Sequence, residues 1–356
     1  MQNEVDRLEG SSISIAVVHK DEIVYTYAYG QANAAAGIPA DTQTIYQYGS
    51  MTKVVTASAL MQLVEQGKVD LDAWAGEYIP EFPESWNVTA RQLLTHSACL
   101  PHNDRLTNGL IAYPDETFSS LEEIFTTYVK DYPDLICEPG KTAAYSNPPY
   151  LALARIIEDV SGEAYDTYVV NHLLTPLGME STSFPFVEAE ERYAKDQYFT
   201  AKVDNFVAEL TEYRGPSQYQ FVLHKGETYA TLNDYRILPP WGGLRGTPSD
   251  VTHFVQMHLN GGRYGDHQIL QPETVAAMQQ NQSAIDGSPL GFGLSWWLKS
   301  DDIGDYYYHI GSGAGSEGTL RIYPELDLGV VVMSNVAGYQ RDKIADGLVS
   351  VWMHGK

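Results

Sequence analysis

Apolar residues form short β-type runs at both ends of the chain and recur at helical spacing in between. Ile13 to His19 and Ile23 to Tyr29 are rich in Ile, Val and Tyr and are separated by Lys20-Asp21-Glu22, which predicts a hairpin. From Ser50 the period changes. Val54, Ala57, Leu60, Met61 and Val64 fall three or four residues apart and Gly67 follows, predicting a helix with one buried face and a glycine stop. The spacing of Tyr150, Leu151, Leu153, Ala154, Ile156, Ile157 and Val160 predicts another helix, closed by Gly162. Glu188 to Leu238 is polar, aromatic and weakly periodic, and receives no assignment. Pro239-Pro240-Trp241-Gly242-Gly243 then marks a break. Thr247-Pro248-Ser249-Asp250 has the cap, the first-turn proline and the acidic third position of a helix start. Leu294 to Leu298, Tyr306 to Ile310, Thr319 to Tyr323 and Leu328 to Asn335 read as strands, with Pro324 to Asp327 as a turn, and Arg341 to Met353 reads as a final helix.

Strands at both ends around a helical middle predict an α+β fold: an antiparallel β-sheet flanked by helices, built from residues 1–70 and 240–356, with a mostly helical domain inserted over 71–239. A cleft between the two parts is the expected site. A length of 356 residues suits two such units, and 44% hydrophobic with 19% charged residues is ordinary globular composition. A formal charge of −24 speaks against nucleic acid or an anionic membrane as partner, because phosphate binding relies on clustered Lys and Arg. No run of about 18 apolar residues occurs, and Met1 to Asp6 lacks the basic and apolar regions of a signal peptide. The chain is therefore expected in the cytoplasm, although an exported protein stripped of its leader reads the same. Cys99 and Cys137 are too few for a disulfide scaffold or a four-cysteine zinc site and are expected to be reduced and structural. The ten histidines show no His-Glu-x-x-His spacing, so neither a metal nor another cofactor is expected.

Candidate chemistry begins at Ser50. Lys53 lies one turn further on the same helix face, where its amine can approach the serine hydroxyl, and a serine hydroxyl attacks a carbonyl at neutral pH only when a base takes its proton. The competing reading is an N-cap serine with a solvated lysine. Tyr145-Ser146-Asn147 follows the turn residues Glu138-Pro139-Gly140, and His309-Ile310-Gly311-Ser312-Gly313 ends a predicted strand in a glycine-rich run where backbone N–H groups can approach a substrate. Ala314-Gly315-Ser316-Glu317-Gly318 imitates the nucleophile elbow of α/β-hydrolases, but a second strand follows it, so that reading is rejected.

Ser-x-x-Lys, Tyr-x-Asn and His-x-Gly in this order resemble the penicillin-recognising serine hydrolases of the class C β-lactamase type, which include DD-peptidases, D-aminopeptidases and family VIII carboxylesterases. Leu71-Asp72, Gln92-Leu93-Leu94-Thr95-His96-Ser97, Pro176-Leu177-Gly178-Met179, Gly242-Gly243-Leu244 and Thr247 to Asp250 are similar to further landmarks of that family, so the resemblance spans nearly the whole chain. It implies that Ser50 is acylated, that Lys53 and Tyr145 share its proton, and that Asn147 orients the acyl side. The backbone N–H groups of Ser50 and Ser312, beside Gly311, would form the oxyanion hole, and His309 would line the opposite wall. For Tyr145 the resemblance implies a lowered pKa or a proton path through Lys53. Two departures stand out: Cys99 where the family commonly has glycine, a side chain expected either to alter the loop backbone or to lie near Cys137, which precedes the Tyr-x-Asn loop, and Pro148-Pro149 after Asn147, expected to stiffen the exit from that loop. His309 where the β-lactamases carry lysine removes a fixed charge for a substrate carboxylate, so strong penicillinase activity is not expected.

The leading expectation is a carboxylesterase on short to medium acyl esters, with Tyr150 and Trp241 flanking the cleft. The alternatives are a D-amino-acid peptidase or amidase, a weak β-lactamase, an acyltransferase, or a non-catalytic binding protein of the same fold. The expected partner is a small-molecule ester or amide, and a homo-oligomer is compatible with the sequence.

Overall fold

The structure is a computed structural model that describes residues 1–7, 11–33, 36–101, 111–112, 119–184, 192, 194, 198–199, 219–224, 227–232, 236–237, 239–313, 315–336 and 338–355. The expected hairpin is present: β1 (Ser12–His19) pairs antiparallel with β2 (Glu22–Asn33). Short β3 (Ile38–Pro39) extends the edge. From the other end of the chain come β4 (Trp297–Ser300), β5 (Asp305–Gly313), β6 (Ser316–Tyr323) and β7 (Leu328–Ser334). Together they form one seven-stranded antiparallel sheet in the order β4-β5-β6-β7-β1-β2-β3. The fold is thus α+β, with the sheet closed between the two ends of the chain, as expected.

Period-2 patterning explains how the sheet is covered. On β1, Ile13, Ile15 and Val17 join one hydrophobic cluster while Ala16 and Val18 join the other, and on β7 Val330 and Val332 face away from Val331 and Met333. Both faces are therefore buried at β1 and β7 in the middle of the sheet, while β2 stays largely exposed or half-buried. One face is covered by the C-terminal helix Arg341–His354. The other is covered by α1 (Thr52–Glu65), α2 (Pro148–Ser161) and α3 (Pro248–Leu259). Arg321 of β6, only 2% exposed, is paired with Asp342 and Asp346 and ties the C-terminal helix to the sheet. α3 begins as its sequence predicts, with the Thr247 hydroxyl accepting from the Asp250 amide and Pro248 in the first turn.

Four local expectations need correction. α1 is not buried on one face only: every residue from Thr52 to Met61 is buried, because the helix runs between the sheet layer and α2 instead of lying on the surface. The strand expected at Leu294 to Leu298 starts only at Trp297, since Ser295 takes a left-handed conformation (φ 74°) that ends extended backbone there. Pro148 and Pro149, expected at the stiffened exit from the Tyr145 loop, are already the first two residues of α2, where missing amide hydrogens cost nothing. Finally, Cys99 and Cys137 are not reduced: they form a disulfide with Cα atoms 5.3 Å apart across 38 residues of sequence. The Ile136 amide donating to the Cys99 carbonyl (3.0 Å) brings the two segments side by side, a proximity that sequence spacing does not reveal. The unassigned segment Glu188 to Leu238 lies largely outside the described residues; within it, Tyr219–His224 and Glu227–Leu232 pair as a hairpin.

Candidate active site

Ser50 sits in a 3₁₀ turn, Gly49–Met51, that leads directly into α1. The turn is pressed against β5, and two glycines make the approach possible. A Cβ on Gly311 would lie 1.9 Å from the Tyr48 carbonyl oxygen, and one on Gly49, itself at φ 51°, would lie 2.9 Å from both the amide nitrogen and the carbonyl oxygen of Ser312. The Ser312 backbone is thereby brought against the residue before Ser50. On its other side the turn is fixed by the segment after the expected break: the Tyr48 amide donates to the Leu244 carbonyl (2.9 Å), and the Thr56 hydroxyl donates to the Pro240 carbonyl (2.7 Å).

Lys53 is fully buried, with Nζ 2.9 Å from Ser50 Oγ and 3.0 Å from the Trp241 carbonyl oxygen. Burial holds its pKa well below the ordinary lysine value, because no carboxylate repays the loss of water. The faces of Tyr145 and Tyr150, with centroids 5.1 and 5.3 Å from Nζ, are its nearest aromatic surroundings. Burial thus favours the neutral amine, the form that can accept a proton from Ser50.

Tyr145 hydrogen-bonds Ser50 through its hydroxyl, so the serine is flanked by both partners that the sequence proposed. Desolvation raises the phenol's pKa although the residue keeps 37% of its surface exposed, and the bond to Ser50 opposes that rise. The expected lowered tyrosine pKa is thus not what the environment produces; the depressed group is Lys53. Tyr145 also meets the rings of His96 (4.5 Å), Trp297 (5.7 Å) and His309 (6.4 Å).

Asn147 is half-buried at the start of α2, two residues beyond Tyr145. His309, expected to line the wall opposite Ser50, is wholly buried. Its Nδ1–H donates to the Ile310 carbonyl (2.7 Å), and desolvation, then the proximity of Lys53, lower its pKa to about 3. It is a neutral ring throughout the ordinary pH range. Tyr150 and Trp241 do not flank an opening either: both are buried behind Lys53, Tyr150 bonded to the Ser295 hydroxyl (2.6 Å) and Trp241 offering its carbonyl to the ammonium. Three residues near Tyr145 carried no chemical reading in the sequence: His96, Phe292 and Trp297. Only His96 gave a signal, as part of the Leu94-Thr95-His96-Ser97 landmark.

A serine within bonding distance of a desolvated lysine and a tyrosine, at the edge of an antiparallel sheet flanked by helices, defines a serine hydrolase that relies on lysine in place of a histidine–aspartate pair. The particular assignment comes from comparison. The chain belongs to the beta-lactamase family, whose model matches residues 1–350. It is 29% identical over 315 residues to a putative D-alanyl-D-alanine carboxypeptidase of Escherichia coli strain K12, covering 80% of this chain and 67% of that one. It is 25% identical over 337 residues to penicillin-binding protein 4 of Amycolatopsis lactamdurans, covering 92% and 80%. Among solved structures, the octameric penicillin-binding protein homologue from Pyrococcus abyssi superposes with a TM-score of 0.78 at 24% identity, covering 100% of this chain and 76% of that one. The D-amino acid amidase from Ochrobactrum anthropi SV3 gives 0.75 at 22% identity, covering 94% and 89%. These two likenesses speak for the fold. No helix among the described residues is long and apolar enough to cross a membrane.

Proposed function

We propose that the protein is a carboxylesterase that cleaves esters of short to medium acyl chains through an acyl-enzyme on Ser50. In this reading neutral Lys53 takes the Ser50 proton as Oγ attacks the ester carbonyl. The amides of Ser50 and Ser312 hold the oxyanion, a contribution of about 3 kcal/mol for each donor. Tyr145 gives its proton to the departing alkoxide and recovers one from the Lys53 ammonium. Water then attacks the acyl group as Lys53 takes one of its protons, and Lys53 passes that proton to Ser50 Oγ as the carboxylic acid departs. Asn147 orients the acyl side, and His309 packs behind Tyr145.

The observation that carries the choice of ester is the absence of charge around Ser50 among the described residues named here. His309 is uncharged, Lys53 is out of solvent, and Tyr145 and Trp297 present rings, so nothing in this set offers the fixed cation that a substrate carboxylate needs. An alkoxide is also a better leaving group than an amide nitrogen, which demands full protonation. A D-amino-acid peptidase or amidase, or a weak β-lactamase, is the second reading, and the names of the relatives favour it. A panel of p-nitrophenyl esters, D-alanyl amides and nitrocefin separates them: the ester reading requires the highest kcat/KM on esters, and a preference for D-alanyl amides overturns it. The disulfide supports an oxidising compartment, against the cytoplasmic expectation. Self-association is supported by the octameric homologue and is checked by light scattering.

A further inference from the structure

Tyr145 belongs to no helix or strand; the chain from Tyr132 to Asn147 reaches it as a loop. Most of the backbone bonds that fix that loop go to one short segment, residues 96–99, with further bonds from the Ile285 amide to the Gly140 carbonyl (2.9 Å) and from Trp86 Nε1 to the Pro133 carbonyl (2.8 Å). The Ile136 amide donates to the Cys99 carbonyl (3.0 Å), the Gly140 amide to the Ser97 carbonyl (2.8 Å) and the Ala144 amide to the His96 carbonyl (2.8 Å), while the Cys99–Cys137 disulfide locks the far end. At the near end the Ser146 amide donates to His96 Nδ1 (3.2 Å). His96 therefore holds both neighbours of Tyr145, one through its backbone and one through its ring, and the ring itself packs on the tyrosine at 4.5 Å.

Two features show that this position is built for the task. His96 is 1% exposed, so its ring cannot swing into solvent, and it is bounded on its other sides by Tyr150 (5.4 Å) and Phe292 (5.6 Å). Its backbone is left-handed (φ 56°), a conformation that side-chain-bearing residues adopt at a cost and that turns the ring toward residues 144–146. Because Nδ1 accepts from an amide, the ring carries its proton on Nε2 and is neutral in this arrangement.

We infer that His96 is a positioning residue for Tyr145, setting the phenol against Ser50 by accepting the Ser146 amide at Nδ1 and bracing the ring face. The inference rests on the proposed proton transfer by Tyr145. Displacing a proton donor by about an ångström can cost on the order of 100-fold in rate, so the effect falls on kcat and leaves KM nearly unchanged.

The test uses His96→Gly, which relieves the left-handed backbone and removes the acceptor, and His96→Asn, which tolerates that backbone and returns an acceptor oxygen near the Nδ1 position. Each is made alone and with Tyr145→Phe, and melting curves establish that the variants fold. The expected result on a p-nitrophenyl ester is a fall in kcat of about 10-fold or more for His96→Gly, with KM within about twofold, and recovery of most of it in His96→Asn. In the Tyr145→Phe background the His96→Gly loss should disappear, which a merely structural role would not produce. If Tyr145→Phe lowers kcat but folded His96→Gly does not, or if the two losses multiply, the positioning role is overturned and the proposed function stands. If Tyr145→Phe leaves kcat unchanged, the proton-transfer reading fails and this inference falls with it.

Discussion

Ser50 and Lys53 lie on an element that runs through the middle of the molecule, whereas Tyr145 rides on a loop whose backbone is held chiefly by residues 96–99. The turn at Ser50 is wedged between β5 and the segment after Pro239, with every residue from Thr52 to Met61 buried. Its geometry follows from packing, and packed interiors do not deform continuously. The Tyr145 loop owes its geometry to four amide hydrogen bonds and one disulfide along residues 96–99. The two halves of the proposed proton path are secured by different physics. The proposed nucleophile and base depend on close contact, and the proposed acid depends on directional bonds that single substitutions can remove.

Substitutions can break this contrast at either arm. Lys53→Met should have the largest effect among them, about a thousandfold in kcat/KM on an ester, measured by steady-state kinetics. The same variant tests the buried amine thermodynamically. Lys53 has a folded pKa well below 10.5, so the unfolded chain binds more protons between the lowered value and 10.5, and stability rises with pH across that window. Stability followed upward in pH toward 10.5 should rise in the wild type once the lowered lysine value is passed, by up to about 1.4 kcal/mol per unit, and lose that component in Lys53→Met. Equal slopes would mean that Lys53 keeps its proton on folding. The activity profile should rise with pH to the lowered lysine value and show no step near 6.5 from His309, whose pKa lies at about 3.

Gly311→Ala attacks the wedge itself. The new methyl would meet the Tyr48 carbonyl at 1.9 Å, so β5 and the Ser50 turn must part. A loss of about 100-fold in kcat is expected, with loss of oxyanion stabilisation as the cause. Activity within a few-fold of wild type would show that the contact is not what sets the geometry.

Much of this contrast follows sequence patterns that can be read in advance, and the remainder does not. The hairpin at Lys20 to Glu22, the Thr247 cap and the Gly162 stop are local devices whose residues are adjacent, so their chemistry is visible in order. Ser50, Lys53 and Tyr145 could be named because family-like motifs carry them. The clip could not, because it joins residues 96–99 to residues 136–146 through backbone groups that every sequence possesses. Cys99 takes a left-handed backbone (φ 59°) where the family commonly has glycine, so the substitution keeps the glycine-type turn and adds a covalent anchor. The number of cysteines alone points to reduced thiols, whereas the Cys99 departure allows a neighbour in Cys137, and the disulfide realises the second. The all-round burial of α1 was hidden for a similar reason: periodicity registers the most apolar face, whereas Thr52, Lys53, Thr56 and Ser58 are buried on the other faces through bonds to distant carbonyls and hydroxyls or within the helix.

The smallest expected effect comes from the far end of the clip. Replacing both cysteines by serine should lower stability by about 2–4 kcal/mol, a melting shift of several degrees, and reduce kcat only a few-fold, since His96 still holds residues 144–146. A collapse of activity as deep as that of Lys53→Met would mean that the disulfide, and not His96, sets Tyr145.

The most direct test of the central claim is intact-protein mass spectrometry of the wild type and Ser50→Ala, quenched during turnover of a p-nitrophenyl ester. The wild type should give a species heavier by one acyl group, mapping to the peptide that contains Ser50, together with a burst of p-nitrophenol, and Ser50→Ala should give neither signal. An acyl adduct at another residue, or undiminished turnover by Ser50→Ala, would contradict it.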